Sequence, residues 1–262
     1  MPRRSRFGGG AAYVGDMTTP SPSSDAPVAH HPVPVTGGEV PADLYLPEAG
    51  TGPGLVLFQE IFGVTAYIRS RAQDLADLGY VVLVPHLYWR IGDEVVSEAT
   101  DGLPRAMELV GQLDWDAAVA DGAASLDALQ HLPAVDGPVG LLGFCFGGGL
   151  AFTVAAVTAE AGAGPDALVS YYGSALPNLL GLAPQVSAPS LHHFGLDDAY
   201  IPVETVREIE SAVTAAHDDV TFLTYAGAGH AFDNPSPVFH HPGASQEAWA
   251  ATTAWLAEQL PV

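Results

Sequence analysis

Short apolar runs, separated by amphipathic stretches of helical length, organise this chain from about residue 40 to its end. The runs at Val40 to Leu46, Leu55 to Phe58, Tyr80 to Val84, Val139 to Leu142, Ala167 to Tyr171, Ser190 to Phe194 and Val220 to Tyr225 predict strands. Between them, helical patterns cover Ala66 to Leu78, Trp115 to Leu132, Gly148 to Glu160, Pro202 to Ala216 and Ser245 to Leu260. Strands that are apolar on both faces belong in a covered sheet, and helices between them supply the crossovers that parallel pairing requires. The pattern predicts an α/β fold: a doubly wound, mostly parallel sheet with helices on both faces. Ligands in such sheets gather at the carboxyl ends of the strands.

With 262 residues, 48% of them hydrophobic, the chain can bury this core as one domain, expected over residues 31–262. Residues 1–30 fall outside the pattern. They are rich in Gly, Pro and Ser and lack a continuous apolar segment, which predicts a disordered tail rather than a secretory signal. Met17 would serve equally well as the start. No apolar run approaches the roughly 18 to 20 residues of a membrane span, so the expectation is a cytoplasmic protein.

Charge narrows the partners. The formal net charge is −22, and the eight basic residues are all arginine. Such a chain repels nucleic acid and anionic membranes, leaving a small molecule as the expected partner. A single cysteine excludes an intrachain disulfide, and neither CxxC nor a Cys/His cluster suggests a metal. The paired histidines 30/31, 192/193 and 240/241 have no third ligand at sensible spacing. No cofactor is expected, and the oligomeric state stays open, a monomer being sufficient.

That one cysteine, Cys145, stands in GFCFGG (Gly143 to Gly148), between an apolar run and an Ala-rich helical stretch. Strand, tight turn and helix around G-x-[S/C]-x-G make a nucleophile elbow, in which flanking glycines relieve close packing. Cys145 would then sit at a helix N-terminus, where free backbone N–H groups favour negative charge. Without that setting, a lone cysteine reads as a small buried hydrophobe. A thiol nucleophile needs a base, and the base needs an orienting group. His230 in GAGHAFDNP follows the last predicted strand, and Asp198 in GLDDAYIP follows the one before it. Asp197 is the competing carboxylate, with Asp198 preferred on spacing. The chain order Cys, Asp, His is that of α/β-hydrolases.

The loop FQEIFGV (Phe58 to Val64) follows an early strand. In this fold the oxyanion hole draws one N–H from that loop and one from the residue after the nucleophile, here Ile61 and Phe146. Glu60, set among apolar neighbours, is costly to bury without a partner or a proton.

Taken together, FQEIFGV, PHLYWR, GFCFGG, GLDDAYIP and GAGHAFDNP resemble the dienelactone hydrolase (carboxymethylenebutenolidase) family, in order from about Val40 to the C-terminus. The resemblance implies an α/β-hydrolase fold with Cys145, Asp198 and His230 as catalytic triad. It also implies that Glu60 contacts the resting thiol and tunes it, and that Arg90 grips a substrate carboxylate. A second arginine of the family would lie four residues after His230, where this chain has Asn234, preceded by Asp233. The implied function is a cysteine-dependent hydrolase that opens a lactone or cleaves a small ester through a thioester. The competing readings are an esterase or thioesterase for neutral acyl substrates and a non-catalytic small-molecule binder.

Overall fold

The computed structural model describes residues 28–262. The tail expected over residues 1–30 and the alternative start at Met17 therefore lie, up to residue 27, outside the described residues. Ala29–His30, placed in that tail by the sequence, form a short strand, β1, paired with β4 (Ala42–Tyr45). A small hairpin, β2 (Val33–Val35) and β3 (Gly38–Val40), stands apart from the main sheet. Part of the expected first strand thus belongs to that hairpin instead, the chain breaking at Pro41.

The central sheet has eight strands in the order β1-β4-β6-β5-β7-β8-β9-β10. Its remaining members are β5 (Gly52–Phe58), β6 (Val81–Pro85), β7 (Val135–Phe144), β8 (Ala167–Tyr171), β9 (Ser190–Gly195) and β10 (Val220–Tyr225). Pairing is parallel from β6 through β10 and antiparallel only at β1 and β4. Every residue of β5, β6 and β8 is buried, so both faces of the sheet centre are covered.

Among the described residues, six α-helices surround the sheet: α1 (Ala66–Asp77), α2 (Leu103–Gln112), α3 (Trp115–Gln130), α4 (Phe146–Glu160), α5 (Val203–Ala216) and α6 (Pro242–Gln259). Helix α1 starts where the Thr65 hydroxyl accepts the Ile68 N–H, and α3 where Asp114 accepts that of Ala117. Helix α2 was not anticipated. Its apolar residues Leu103, Ala106, Met107, Leu109 and Val110 do keep 3- and 4-residue spacing, with a proline in the first turn where a missing N–H costs nothing.

Adjacent histidines in β9 link the core to acid stability. Burial pushes His192 down to about 4 and His193 down to about 3. His193 is satisfied by the Tyr225 hydroxyl at 2.8 Å and Thr252 Oγ1 at 2.9 Å, while His192 Nδ1 has no partner. Both values lie below the unfolded 6.5, so the unfolded chain binds the extra protons. Stability is complete above pH 6.5 and falls as the pH drops toward 4, by on the order of 3 kcal/mol for His192 alone. His192→Leu is therefore expected to shrink the stability difference between pH 8 and pH 5 in urea unfolding; an unaltered difference would contradict this.

Candidate active site

The bend between β7 and α4 holds Cys145 at φ 54°, ψ −115°, a conformation that only tight surroundings maintain. Its N–H donates to the Tyr171 carbonyl, and its own carbonyl accepts from Gly148 and Ser174. A Cβ at Gly143 would lie 2.0 Å from the Gly147 carbonyl oxygen, and one at Gly147 would lie 2.5 Å from those of Phe58 and Gln59. Side chains cannot replace these two glycines without unmaking the bend. Two more non-glycine residues with positive φ, Tyr172 and Ala231, flank the same site.

Three loops at the carboxyl ends of β7, β9 and β10 bring Cys145, Asp198 and His230 into one line. His230 Nε2 is 3.1 Å from Cys145 Sγ, and Nδ1 is 2.7 Å from Asp198 Oδ2. Asp198 Oδ1 accepts the N–H groups of Tyr200 and Ile201, which locks the carboxylate toward the imidazole. Asp198, the carboxylate that meets the imidazole, is buried, and the competing Asp197 is exposed. Burial disfavours a charged His230, but negative charge at Cys145 and the Asp198 hydrogen bond outweigh it. The imidazole is held well above its ordinary value.

Beside the sulfur, Ile61 and Phe146 line the same cleft. Phe146 opens α4, so its N–H has no carbonyl one turn back to meet. The Tyr88 hydroxyl donates to the Ile61 carbonyl at 2.7 Å, which steadies the loop that carries the other N–H.

The remaining expected residues are placed differently. Glu60 does line the cleft, yet the thiol faces His230, and the Glu60 carboxylate is held by Asn234 Nδ2 at 2.7 Å. The same amide nitrogen lies 3.0 Å from Glu98 Oε1, and the Asn234 side chain is fully buried between the two. Burial pushes Glu60 up to about 7, with the neighbouring Glu98 adding to it against the Asn234 hydrogen bond. Its Oε1 has no partner. Near neutrality this group changes charge inside the cleft. Glu60→Gln is accordingly expected to remove a step near pH 7 from the rate of Cys145 alkylation by iodoacetamide, since ionised Glu60 opposes the thiolate. Superimposable pH profiles would leave Glu60 without influence on the sulfur.

Arg90 is not in the cleft. Its Nε and Nη2 close on Asp121 of α3 at 3.1 and 2.7 Å, and its guanidinium lies 4.2 Å over the Trp89 ring. Asp121 is 2% exposed and needs a countercharge, and the bidentate fork of arginine supplies it. Asp233, which seemed to add negative charge near the substrate, is neutralised instead. Arg71 grips both of its oxygens, and Tyr67 and Ser245 donate to it as well. Nothing in the local sequence of α1 marked Arg71 for this task.

The cleft is partly open, has a volume of about 170 Å³ and is lined chiefly by apolar groups, among them Phe62, Leu103, Met107, Val110 and Phe239. Among the described residues no arginine lines it. The contribution of α2 was missed because the loop before it, residues 92–102, carries no strand or motif to anchor a reading.

The site invites comparison with known proteins. Residues 40–260 match the model of the dienelactone hydrolase family. A carboxymethylenebutenolidase of a Pseudomonas species is 35% identical over 228 residues, covering 86% of this chain and 93% of that protein. Carboxymethylenebutenolidase 1 of Cupriavidus pinatubonensis is 31% identical, covering 85% and 93%. Among solved structures, one assigned to a dienelactone hydrolase of Klebsiella pneumoniae has a TM-score of 0.76 at 29% identity, covering 88% of this chain and 98% of that one. A dienelactone hydrolase-like promiscuous phosphotriesterase from metagenomic libraries has a TM-score of 0.74 at 27% identity, covering 89% and 98%. With the ordered motifs and the parallel sheet, these matches establish that the chain belongs to the dienelactone hydrolase family, with the α/β-hydrolase fold, and is a carboxylic ester hydrolase acting on lactones or esters.

Proposed function

We propose that the protein is a cysteine-dependent hydrolase of small neutral esters or lactones. The observation that carries this reading is the unbroken line from Asp198 through His230 to Cys145 Sγ at the floor of an apolar cleft. His230 takes the thiol proton, and the thiolate attacks the carbonyl carbon. The Ile61 and Phe146 N–H groups receive the oxyanion. As the tetrahedral adduct collapses, His230 returns the proton to the departing alkoxide, leaving a thioester on Cys145. In a lactone the alkoxide remains part of the bound acyl group. Water, deprotonated by His230, then hydrolyses the thioester, releasing the acid and restoring the thiol.

Neutrality of the substrate follows from the cleft wall. Arg90 is spent on Asp121, Arg71 on Asp233, and Asn234 stands where the resemblance put a second arginine. An ionised substrate carboxylate would enter an apolar cleft beside Glu60 where, among the described residues, no arginine stands to meet it. A carboxylated dienelactone and its methyl ester compared by kcat/KM test this. The methyl ester is expected to be preferred by at least about tenfold, a difference of about 1.4 kcal/mol in transition-state stabilisation. Preference for the acid would return the protein to the carboxylate-binding reading.

A further inference from the structure

The apolar residues of α2 divide between two tasks. Ala106 and Leu109 are sealed against the core. Leu103, Met107 and Val110, at positions i, i+4 and i+7, form a separate stripe that faces the cleft above Cys145. A helix that only had to dock would need the first set alone. Met107, in the middle of the stripe, remains 53% exposed, while Leu103 and Val110 on either side of it are half-buried.

Opposite the stripe stand Phe62 and Phe239, with ring centroids 5.9 Å apart. The helix keeps its charges elsewhere: Arg105 pairs with Glu94 and Glu108 on the solvent side. From Leu103 to Val110 the stripe runs about 10 Å along the helix axis. The volume of this partly open cleft, about 170 Å³, is close to that of a hydrocarbon-lined cavity of roughly 150 Å³ that accepts one benzene.

We propose that the Leu103, Met107 and Val110 stripe is the specificity wall of the enzyme, selecting an ester or lactone whose apolar chain or ring has about six carbons. The proposal rests on the hydrolase reading above and adds the size and polarity of the substrate group. Length is read against Val110, and Met107 closes over the chain.

Two substrate series test it: methyl esters of acids from acetate to decanoate, and acetates of alcohols from methyl to octyl. In wild type, kcat/KM is expected to peak near six carbons in the series whose variable chain meets the wall. Val110→Phe should move that peak at least two carbons shorter. It should also lower the ratio of six-carbon to two-carbon rates at least tenfold. Met107→Ala, at an exposed position where folding is not at stake, should lower the same ratio about threefold to tenfold. Unchanged profiles in both series for Met107→Ala would overturn the proposal while leaving the hydrolase reading intact. Wild-type failure to hydrolyse any member would instead overturn the hydrolase reading, and this proposal with it.

Discussion

Cys145→Ala is expected to lower kcat by at least about 10⁴-fold on any ester the wild type hydrolyses. Removal of a covalent nucleophile leaves only binding and oxyanion stabilisation, and the residual acceleration from those is small beside the whole. The alanine introduces no larger group at the bend, but it inherits the φ of 54°, so thermal unfolding must be measured beside activity. Cys145→Ser separates chemistry from fold, because its hydroxyl occupies the place of the thiol. His230 at 3.1 Å would have to act on a far less acidic group, so a large loss is expected there as well. A folded Cys145→Ala protein that retains wild-type turnover would remove the thioester route.

The second large effect falls on Asp198. Asp198→Asn is expected to cost about 10³ to 10⁴ in kcat with little change in fold, as the same change does in the serine protease triad. The reason lies in the two oxygens of this carboxylate. Oδ1 is fixed by the N–H groups of Tyr200 and Ile201, so an asparagine must keep its oxygen there. Its NH₂ group then faces His230 Nδ1, donates to it and leaves the proton on the nitrogen that should accept from sulfur. Asp197→Asn, on the exposed neighbour, is the control, expected to change kcat/KM less than twofold. Equal losses in the two variants would mean that the carboxylate acts through general charge rather than through this hydrogen bond.

Much of the architecture was legible because its signals are local. Buried parallel strands advertise themselves as unbroken apolar runs, and five of the six α-helices lie in the helix-length stretches between those runs. The elbow was legible as a short motif, and Gly143 answers a contact within one turn of backbone, with the Gly147 carbonyl, whereas Gly147 clears the carbonyls of the distant Phe58 and Gln59. The misreadings share another cause. Arg90 matched a motif, but its partner, Asp121, lies 31 residues away on α3, and only packing reveals that the guanidinium is already engaged. Asp233 looked like an unbalanced charge until α1 brought Arg71 across 162 residues to meet it. Glu60 keeps its place with Cys145 in the cleft, but the partner that holds its carboxylate, Asn234, lies 174 residues away. Its unpartnered oxygen and raised affinity for a proton are properties of the pocket, not of the peptide around it.

The sequence by itself determined the chemistry available: one thiol, placed on a bend that its neighbouring glycines permit, with an imidazole and a carboxylate in the right order along the chain. Tertiary structure alone decided which charges were left to greet a substrate. Ion pairs form between residues distant in sequence, so which arginines stay free depends on the buried carboxylates that the fold sets beside them. Two of them went to Asp121 and Asp233, and the cleft over Cys145 was left to Leu103, Met107, Val110 and the phenylalanines facing them.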